Sequence, residues 1–302
     1  MWRIVLQICP VIMIFTHKRY INVNITLEGD RLYLLQEDNC AHGLYLTSAQ
    51  NREAYLPLYK RIGEYLDSNY SVLYATERNP ADTIQHMKKT NSRIKEYVDK
   101  RSLKILSIDS VYHAPTMKRN ASNPSKIFYS HIRSMQKMKQ SEHYAVFGCP
   151  EPFIDNNLND QLVEYEKSIR EHLEGPIEVV CCYRTPIFNN LASRHIISLL
   201  NAHVCTIHTE QWIQSPWTPE RIMDLVKKGI DDILGGNSGR LITRTMQTVY
   251  GLDEEALITK PTTFEEKLRK LLGETVANKV IRSISSNLIS MMTFECNLGT
   301  NE

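Results

Sequence analysis

Glycine is scarce in this chain, with 12 residues in 302, about 4% against the ~7% of ordinary proteins. Loops that cradle phosphates consume glycine, because several backbone N–H groups must converge on the anion without side chains in the way. No G-x-G-x-x-G occurs anywhere, and the segment Thr47-Ser48-Ala49-Gln50-Asn51-Arg52-Glu53 has neither glycine nor lysine. It follows the first dependable sheet strand, where a P-loop would need both residues. Turnover of ATP or a dinucleotide therefore has no visible machinery, and the chain reads as non-enzymatic.

Paired cysteine motifs are also missing. The seven cysteines, Cys9, Cys40, Cys149, Cys181, Cys182, Cys205 and Cys296, are odd in number and irregularly spaced, with no C-x-x-C among them. Neither a disulfide framework nor a zinc ribbon fits, and reduced thiols packed as small hydrophobes imply a cytoplasmic protein. The ten histidines show no H-x-x-x-H or H-E-x-x-H spacing, and only His203 and His208 lie close together. No metal and no cofactor are expected from spacing alone.

Long apolar runs are absent too. Trp2 to Phe15 is interrupted by Arg3, Gln7 and Pro10, and at about 14 residues it falls short of the ~20 that a membrane span needs. His17-Lys18-Arg19 follow where a signal peptide would have small residues. A buried strand, or a mis-assigned start upstream of Met13, accounts for this stretch, and no membrane association is expected. A formal charge of +2 announces neither a nucleic-acid coat nor a membrane-surface protein.

From residue 31 onward, short runs rich in β-branched and aromatic residues alternate with segments of helical period. The runs are Arg31–Gln36, Gly43–Thr47, Ser71–Thr76, Leu103–Ile108, Tyr144–Cys149, Ile177–Tyr183 and Val204–His208. Several are nearly continuous in apolar character, as strands covered on both faces of a parallel sheet must be. Tyr55, Leu58, Ile62 and Tyr65 mark one helix stripe, and Leu158, Leu162, Tyr165, Ile169 and Leu173 another, with Glu164, Lys167 and Glu171 outside. Asn79-Pro80, Asn123-Pro124 and Thr218-Pro219 each place a capping side chain before a proline suited to the first helical turn. This grammar predicts an α/β fold: a mostly parallel sheet with helices on both faces.

After His208 the grammar changes, and no further strand is expected beyond residue 210. Ile222, Val226, Ile230 and Ile233 form a helix that stops at Gly235-Gly236; Thr262 and Glu265 fit a capping box behind Pro261; Val276, Val280, Ile284, Leu288 and Met292 form the last stripe. The expected organisation is an N-terminal extension (1–30), an α/β domain (31–212), a connector helix (213–235) and a small all-α domain (236–302).

In open α/β sheets, ligands bind beyond the carboxyl ends of the strands. Glu77, Asp109, Cys149, Cys181 and Tyr183 stand at or near such ends, and His42 lies just before the first dependable strand. These six are the candidate ligand-binding residues. Cys181 and Cys182 must point to opposite faces, while Cys181 and Tyr183 share one. No catalytic residues are assigned; the enzymatic alternative uses Cys149 or Cys182 as nucleophile and requires a depressed thiol pKa. Residues 78–139 carry 14 Lys+Arg against 4 Asp+Glu, which leaves DNA open as a partner, whereas the 8 basic and 8 acidic residues from Gly236 onward suit DNA reading poorly.

The stretch from Leu32 to His208 resembles the MEDS domain, a sensory domain of methanogens, methylotrophs and a dichloromethane-responsive regulator. The resemblance rests on Asn39-Cys40-Ala41-His42-Gly43-Leu44-Tyr45-Leu46, on Val72-Leu73-Tyr74-Ala75 followed by Glu77, on Val179-Val180-Cys181-Cys182-Tyr183, and on Ser198-Leu199-Leu200-Asn201-Ala202-His203. Members often carry one cysteine, a polar residue and then tyrosine, so Cys181-Cys182-Tyr183 departs from the pattern. The resemblance implies a RecA/KaiC-like core that has lost its nucleotide chemistry. Residues 233–290, with Ile233-Leu234-Gly235, Val249-Tyr250-Gly251-Leu252, Pro261, Phe264 and Leu272-Gly273, are similar to small helical output domains of archaeal signalling proteins. The implied role is a cytoplasmic regulator that binds a small-molecule ligand in its α/β domain and passes the change through its helical domain to a partner protein. A ligand-free interaction module and a DNA-associated transcriptional regulator are the alternatives, and a homo-oligomer is compatible with each.

Overall fold

The computed structural model describes residues 11–16, 19–28, 31–36, 41–47, 55–120, 122–138, 141–172, 177–203, 205–208, 211–214 and 217–298. The first three strands, β1 (Val11–Thr16), β2 (Arg19–Glu28) and β3 (Arg31–Gln36), pair antiparallel in a sheet of their own. Arg31–Gln36 therefore does not join the parallel sheet, contrary to the sequence expectation. Only Gly29-Asp30 separates β2 from β3, a hairpin length, whereas a parallel partner needs a crossover of a dozen or more residues.

The second sheet has the order β10-β9-β4-β8-β7-β5-β6. It comprises β4 (Ala41–Thr47), β5 (Ser71–Thr76), β6 (Leu103–Ser107), β7 (Tyr144–Gly148), β8 (Ile177–Arg184), β9 (Cys205–His208) and β10 (Gln211–Gln214). All neighbours run parallel except β10, which turns back on β9. A strand beyond residue 210 is a correction to the sequence reading: four residues bounded by glutamines make no apolar run, and only their backbone pairing with β9 identifies them.

Side-chain alternation sorts the sheet into two cores. Tyr45, Val72, Tyr74, Ala145, Phe147, Val180 and Cys182 meet α1 (Leu56–Asp67), α2 (Pro80–Met87) and α3 (Ile94–Asp99) on one face. Leu44, Leu46, Leu73, Val146, Val179, Cys181 and Tyr183 face the other side. There they pack with α4 (Ile108–Val111), α5 (Ala114–Arg119), α6 (Asn123–Lys137), α7 (Glu151–Asp155), α8 (Asn159–His172) and α9 (Ser193–Ala202). The opposite facing of Cys181 and Cys182 follows the expected period of two. The helix stripes also agree: Leu58, Ile62 and Tyr65 are buried in α1, and Leu162, Tyr165 and Ile169 in α8, while the side chains of Glu171 and Leu173 lie outside the described residues.

The capping expectations divide. The Asn79 side chain accepts from Ala81 N at 2.8 Å and that of Thr218 from Arg221 N at 3.3 Å. Asn123 is instead the first residue of α6, preceded by Ser122, which makes no side-chain cap. Asn120 accepts from Ser122 N and thereby organises the turn one step earlier.

The chain continues with α10 (Pro219–Leu234), α11 (Ser238–Tyr250), α12 (Glu254–Thr259), α13 (Pro261–Leu272) and α14 (Glu274–Leu298). These helices do not stand apart from the sheet. α12, α13 and α14 pack on α9, and one continuous hydrophobic core runs from the β4–β8 face through Leu199 and Leu200 to Phe264, Ile284 and Leu288. α10 lies along α14, and Gly229 makes the crossing close: a Cβ there would stand 2.8 Å from the backbone of Ile284. Glu265 does not complete a capping box at the start of α13. Its carboxylate, 2% exposed, instead receives Ser193 Oγ at 2.7 Å and Arg194 N at 3.1 Å. It satisfies the N-terminal groups of α9, a helix some seventy residues earlier in the chain. Among the described residues no helix is long and apolar enough to cross a membrane.

Candidate functional site

Two groups of polar side chains stand out, one at the sheet rim and one inside the core. The rim group forms where chain direction divides: β4 and β5 lead into helices on one face, β7 and β8 into helices on the other. Such a switch point opens a crevice at the carboxyl edge. Here the crevice is lined by Tyr45 and Thr47 of β4, Glu77 after β5, Cys149 and Glu151 after β7, Cys182, Tyr183 and Arg184 of β8, and Tyr55. Its empty space, mouth included, is about 210 Å³, and its enclosed part is no larger than a water molecule. Drug-sized pockets occupy ~300–1,000 Å³, so this cleft as it stands has room for little more than a water, and a molecule of a few heavy atoms enters only if the lining side chains move.

An ion-pair system closes the cleft floor. Glu151, 2% exposed, accepts from Arg184 N at 2.5 Å and Arg184 Nε at 2.6 Å, while an Arg184 terminal nitrogen lies 3.9 Å from Glu77. Burial pushes the Glu151 carboxyl up, and the Arg184 hydrogen bonds offset part of that rise. Tyr55 donates to Glu77 at 3.3 Å. The Cys149 thiol is raised well above its ordinary value by its hydrogen bond with Cys182, by burial and by the nearby carboxylates. A nucleophilic cysteine needs the opposite environment.

The second group is completely buried. His42 is the second residue of β4, Cys181 lies mid-strand in β8, Glu166 faces inward from α8, and His203 is the residue at which α9 ends. Glu166 Oε2 is 3.0 Å from His42 Nε2, 3.5 Å from His203 Nε2 and 3.2 Å from Cys181 Sγ. His42 Nε2 is 3.4 Å from the same sulfur, and the two imidazole centroids are 4.1 Å apart. Burial acts to raise the Glu166 carboxyl, but His203 and His42 beside it prevail and hold it well below the usual carboxylate range. Tyr183 donates its hydroxyl to the other oxygen, Glu166 Oε1. Tyr183 thus belongs to both groups and bridges the core cluster to the rim.

The six candidates from the sequence separate accordingly. Glu77, Cys149 and Tyr183 line the rim cleft. His42 and Cys181 lie in the core with Tyr183, because their positions within the strands keep them away from the carboxyl edge. Asp109 is exposed at the start of α4, its backbone N–H bound to Ser107 Oγ, and it lines neither group. Glu166, His203, Glu151 and Arg184 escaped the sequence reading. A signal for Glu166 was available: it sits on the buried stripe of α8, four residues after Leu162, where a carboxylate is out of place.

The family model of MEDS, the methanogen/methylotroph, DcmR sensory domain, matches residues 42–204, more than half of the chain. The chain belongs to the MEDS family. No curated protein matches it. The matched span of the MEDS domain includes all four members of the buried cluster, from His42 to His203, and every lining residue of the rim cleft. Membership in a sensory-domain family fits a role in signal transduction. Within this MEDS domain, the polar chemistry lies in the rim cleft and in the core cluster behind it.

Proposed function

We propose that this protein is a signal-transduction sensor whose MEDS domain binds a small molecule at the rim cleft, and whose C-terminal helices relay the binding to a partner protein. The observation that carries the reading is the continuous path from cleft to helices. Tyr183 joins the cleft to Glu166, Glu166 meets His203 at the end of α9, and Glu265 of α13 holds the beginning of α9. A ligand that shifts Tyr183 acts through Glu166 on the C-terminal end of α9, a helix whose N-terminal end is held by Glu265 of α13. The cleft's composition supports recognition rather than turnover: its Cys149 thiol is raised, and its charged groups are already paired.

The test is a thermal-shift panel of one- to four-carbon alcohols, amines and carboxylic acids on the full chain. A ligand present at 100 times its Kd stabilises the native state by about 2.7 kcal/mol, a rise of several degrees for a chain of this size. The expected outcome is a rise with at least one chemical class, lost in Glu77→Gln, together with altered amide exchange in α13. A panel that moves neither the wild-type transition nor the exchange of α13, while a partner still co-purifies, would favour a ligand-free interaction module.

A further inference from the structure

We infer that His42, Glu166, Cys181 and His203 form a site for one zinc-like divalent transition-metal ion, standing whether or not the rim cleft takes a ligand. The argument begins with proton positions. His42 Nδ1 lies 3.1 Å from the carbonyl of Ala202, and His203 Nδ1 lies 2.6 Å from the carbonyl of Leu199. A carbonyl can only accept, so each Nδ1 carries the hydrogen and donates it. In the neutral rings both Nε2 atoms therefore present lone pairs, and both face the same anionic oxygen, Glu166 Oε2. A lone pair directed at a carboxylate repels it unless a proton or a metal ion lies between them; one divalent ion serves both rings at once, whereas protons alone would bury two imidazolium charges beside a single carboxylate. His203 Nε2 is fully buried and has no hydrogen-bond partner, which marks it as aimed into this point without its own proton donor. Backbone carbonyls that orient metal-binding histidines through the far nitrogen are the usual supporting arrangement at such sites.

The separations lie close to those of tetrahedral coordination. With bond lengths of about 2.0–2.3 Å to N, O and S, ligand atoms around zinc stand roughly 3.3–3.6 Å apart. Of the pairs described above, 3.4 and 3.5 Å fall in that range and 3.0 and 3.2 Å fall just short of it, and all four ligand atoms lie within 4.8 Å of one another, so enclosing an ion requires small side-chain adjustments and no change of backbone. The donor set of two imidazoles, one thiolate and one carboxylate suits zinc. Charge balances as well: on binding, the Cys181 thiol releases its proton to solvent, and the divalent ion meets one thiolate and one carboxylate, leaving a neutral buried centre. Glu166 would bind through Oε2 while Oε1 keeps the Tyr183 hydroxyl. The four ligands come from β4, α8, β8 and the end of α9, so the ion would fasten the sheet to the helices on the Cys181 face.

The experiment measures bound metal in the purified full chain by inductively coupled plasma mass spectrometry, and titrates chelator-treated protein with Co²⁺. The expected result is about one zinc per chain, and, on cobalt, intense visible bands of tetrahedral Co²⁺ with a near-ultraviolet thiolate-to-cobalt band. Cys181→Ser should abolish the thiolate band, Tyr183→Phe should weaken Co²⁺ binding by roughly tenfold as loss of a supporting hydrogen bond does, and His131→Gln, away from the cluster, should change neither. Wild-type protein that is folded, metal-free and silent on cobalt addition overturns the proposal, even if the variants fail to fold. So does stoichiometric metal whose cobalt spectrum contains no thiolate band.

Discussion

Removing the Glu265 side chain tests the mechanical link between the MEDS domain and the C-terminal helices. Glu265→Ala takes away the acceptor of Ser193 Oγ and of the Arg194 backbone N–H. Hydrogen bonds to a charged group contribute about 1.5–3 kcal/mol each. The carboxylate also lies 3.5 Å from Arg194 and 3.5 Å from Arg269. Both arginines are about 30% exposed, so solvent screening limits each ion pair to a few tenths of a kcal/mol. Water entering the vacated space returns part of the loss. The net expectation is a destabilisation of about 3–4 kcal/mol. A 302-residue chain unfolds with an entropy near 0.6 kcal/mol per kelvin, so the transition should fall by roughly 5–6 °C. Urea unfolding of the wild type, Glu265→Ala, Ser193→Ala and the double variant forms a cycle, and the Ser193–Glu265 coupling should be about 1–2 kcal/mol. Amide exchange should rise first at the N-terminus of α9. A Glu265→Ala variant within about 0.5 kcal/mol of wild type, or a coupling of zero, refutes the idea that this contact binds the two parts together.

Two further outcomes follow from the packing and the charges. Helix propensity alone gives Gly→Ala inside a helix a gain of about 1 kcal/mol, yet Gly229→Ala should lose about 1–3 kcal/mol, because its Cβ would meet the Ile284 backbone at 2.8 Å. Gly63→Ala is the contrast, since its Cβ meets the side-chain amide of Asn91 at 3.1 Å rather than backbone; that amide is bonded to Asp67 and Arg93 N but can shift by a few tenths of an ångström, so the change should be near neutral, and denaturant midpoints decide. The His131 pKa is lowered by burial and by Lys104, whose ammonium donates to Nδ1 at 2.7 Å. The folded state thus binds protons less readily than the unfolded chain, and this contribution is present above about pH 6.5 and lost as the pH falls through the depressed value. His131→Gln should flatten the decline in stability between about pH 7 and 5, and an unchanged slope would contradict the assignment.

Much of the fold is legible in local chemistry. Continuous apolar runs such as Tyr144–Gly148 announce strands covered on both sides, and the spacing of Leu58, Ile62 and Tyr65 announces the buried side of α1. The opposed facing of Cys181 and Cys182 needs only the period of a strand. Asn79-Pro80 and the glycine stop at Gly235, whose φ is +92°, fix their helix ends because the backbone groups there are satisfied within a few residues.

Where satisfaction comes from far along the chain, sequence order does not predict it. Arg31–Gln36 is a strand in either reading, but its partner depends on a hairpin rather than on its own composition. Glu265 is well placed for a local capping box, yet the tertiary packing of α13 on α9 offers it two donors at the start of that helix, Ser193 Oγ and the Arg194 N–H. The composition of the chain determines an α/β domain without phosphate-binding loops, since glycine supply and strand pattern are local properties. The assembly of His42, Glu166, Cys181 and His203 was decided only by the fold, because metal-like geometry between residues as far as 161 positions apart depends on which strands lie side by side and where a helix ends.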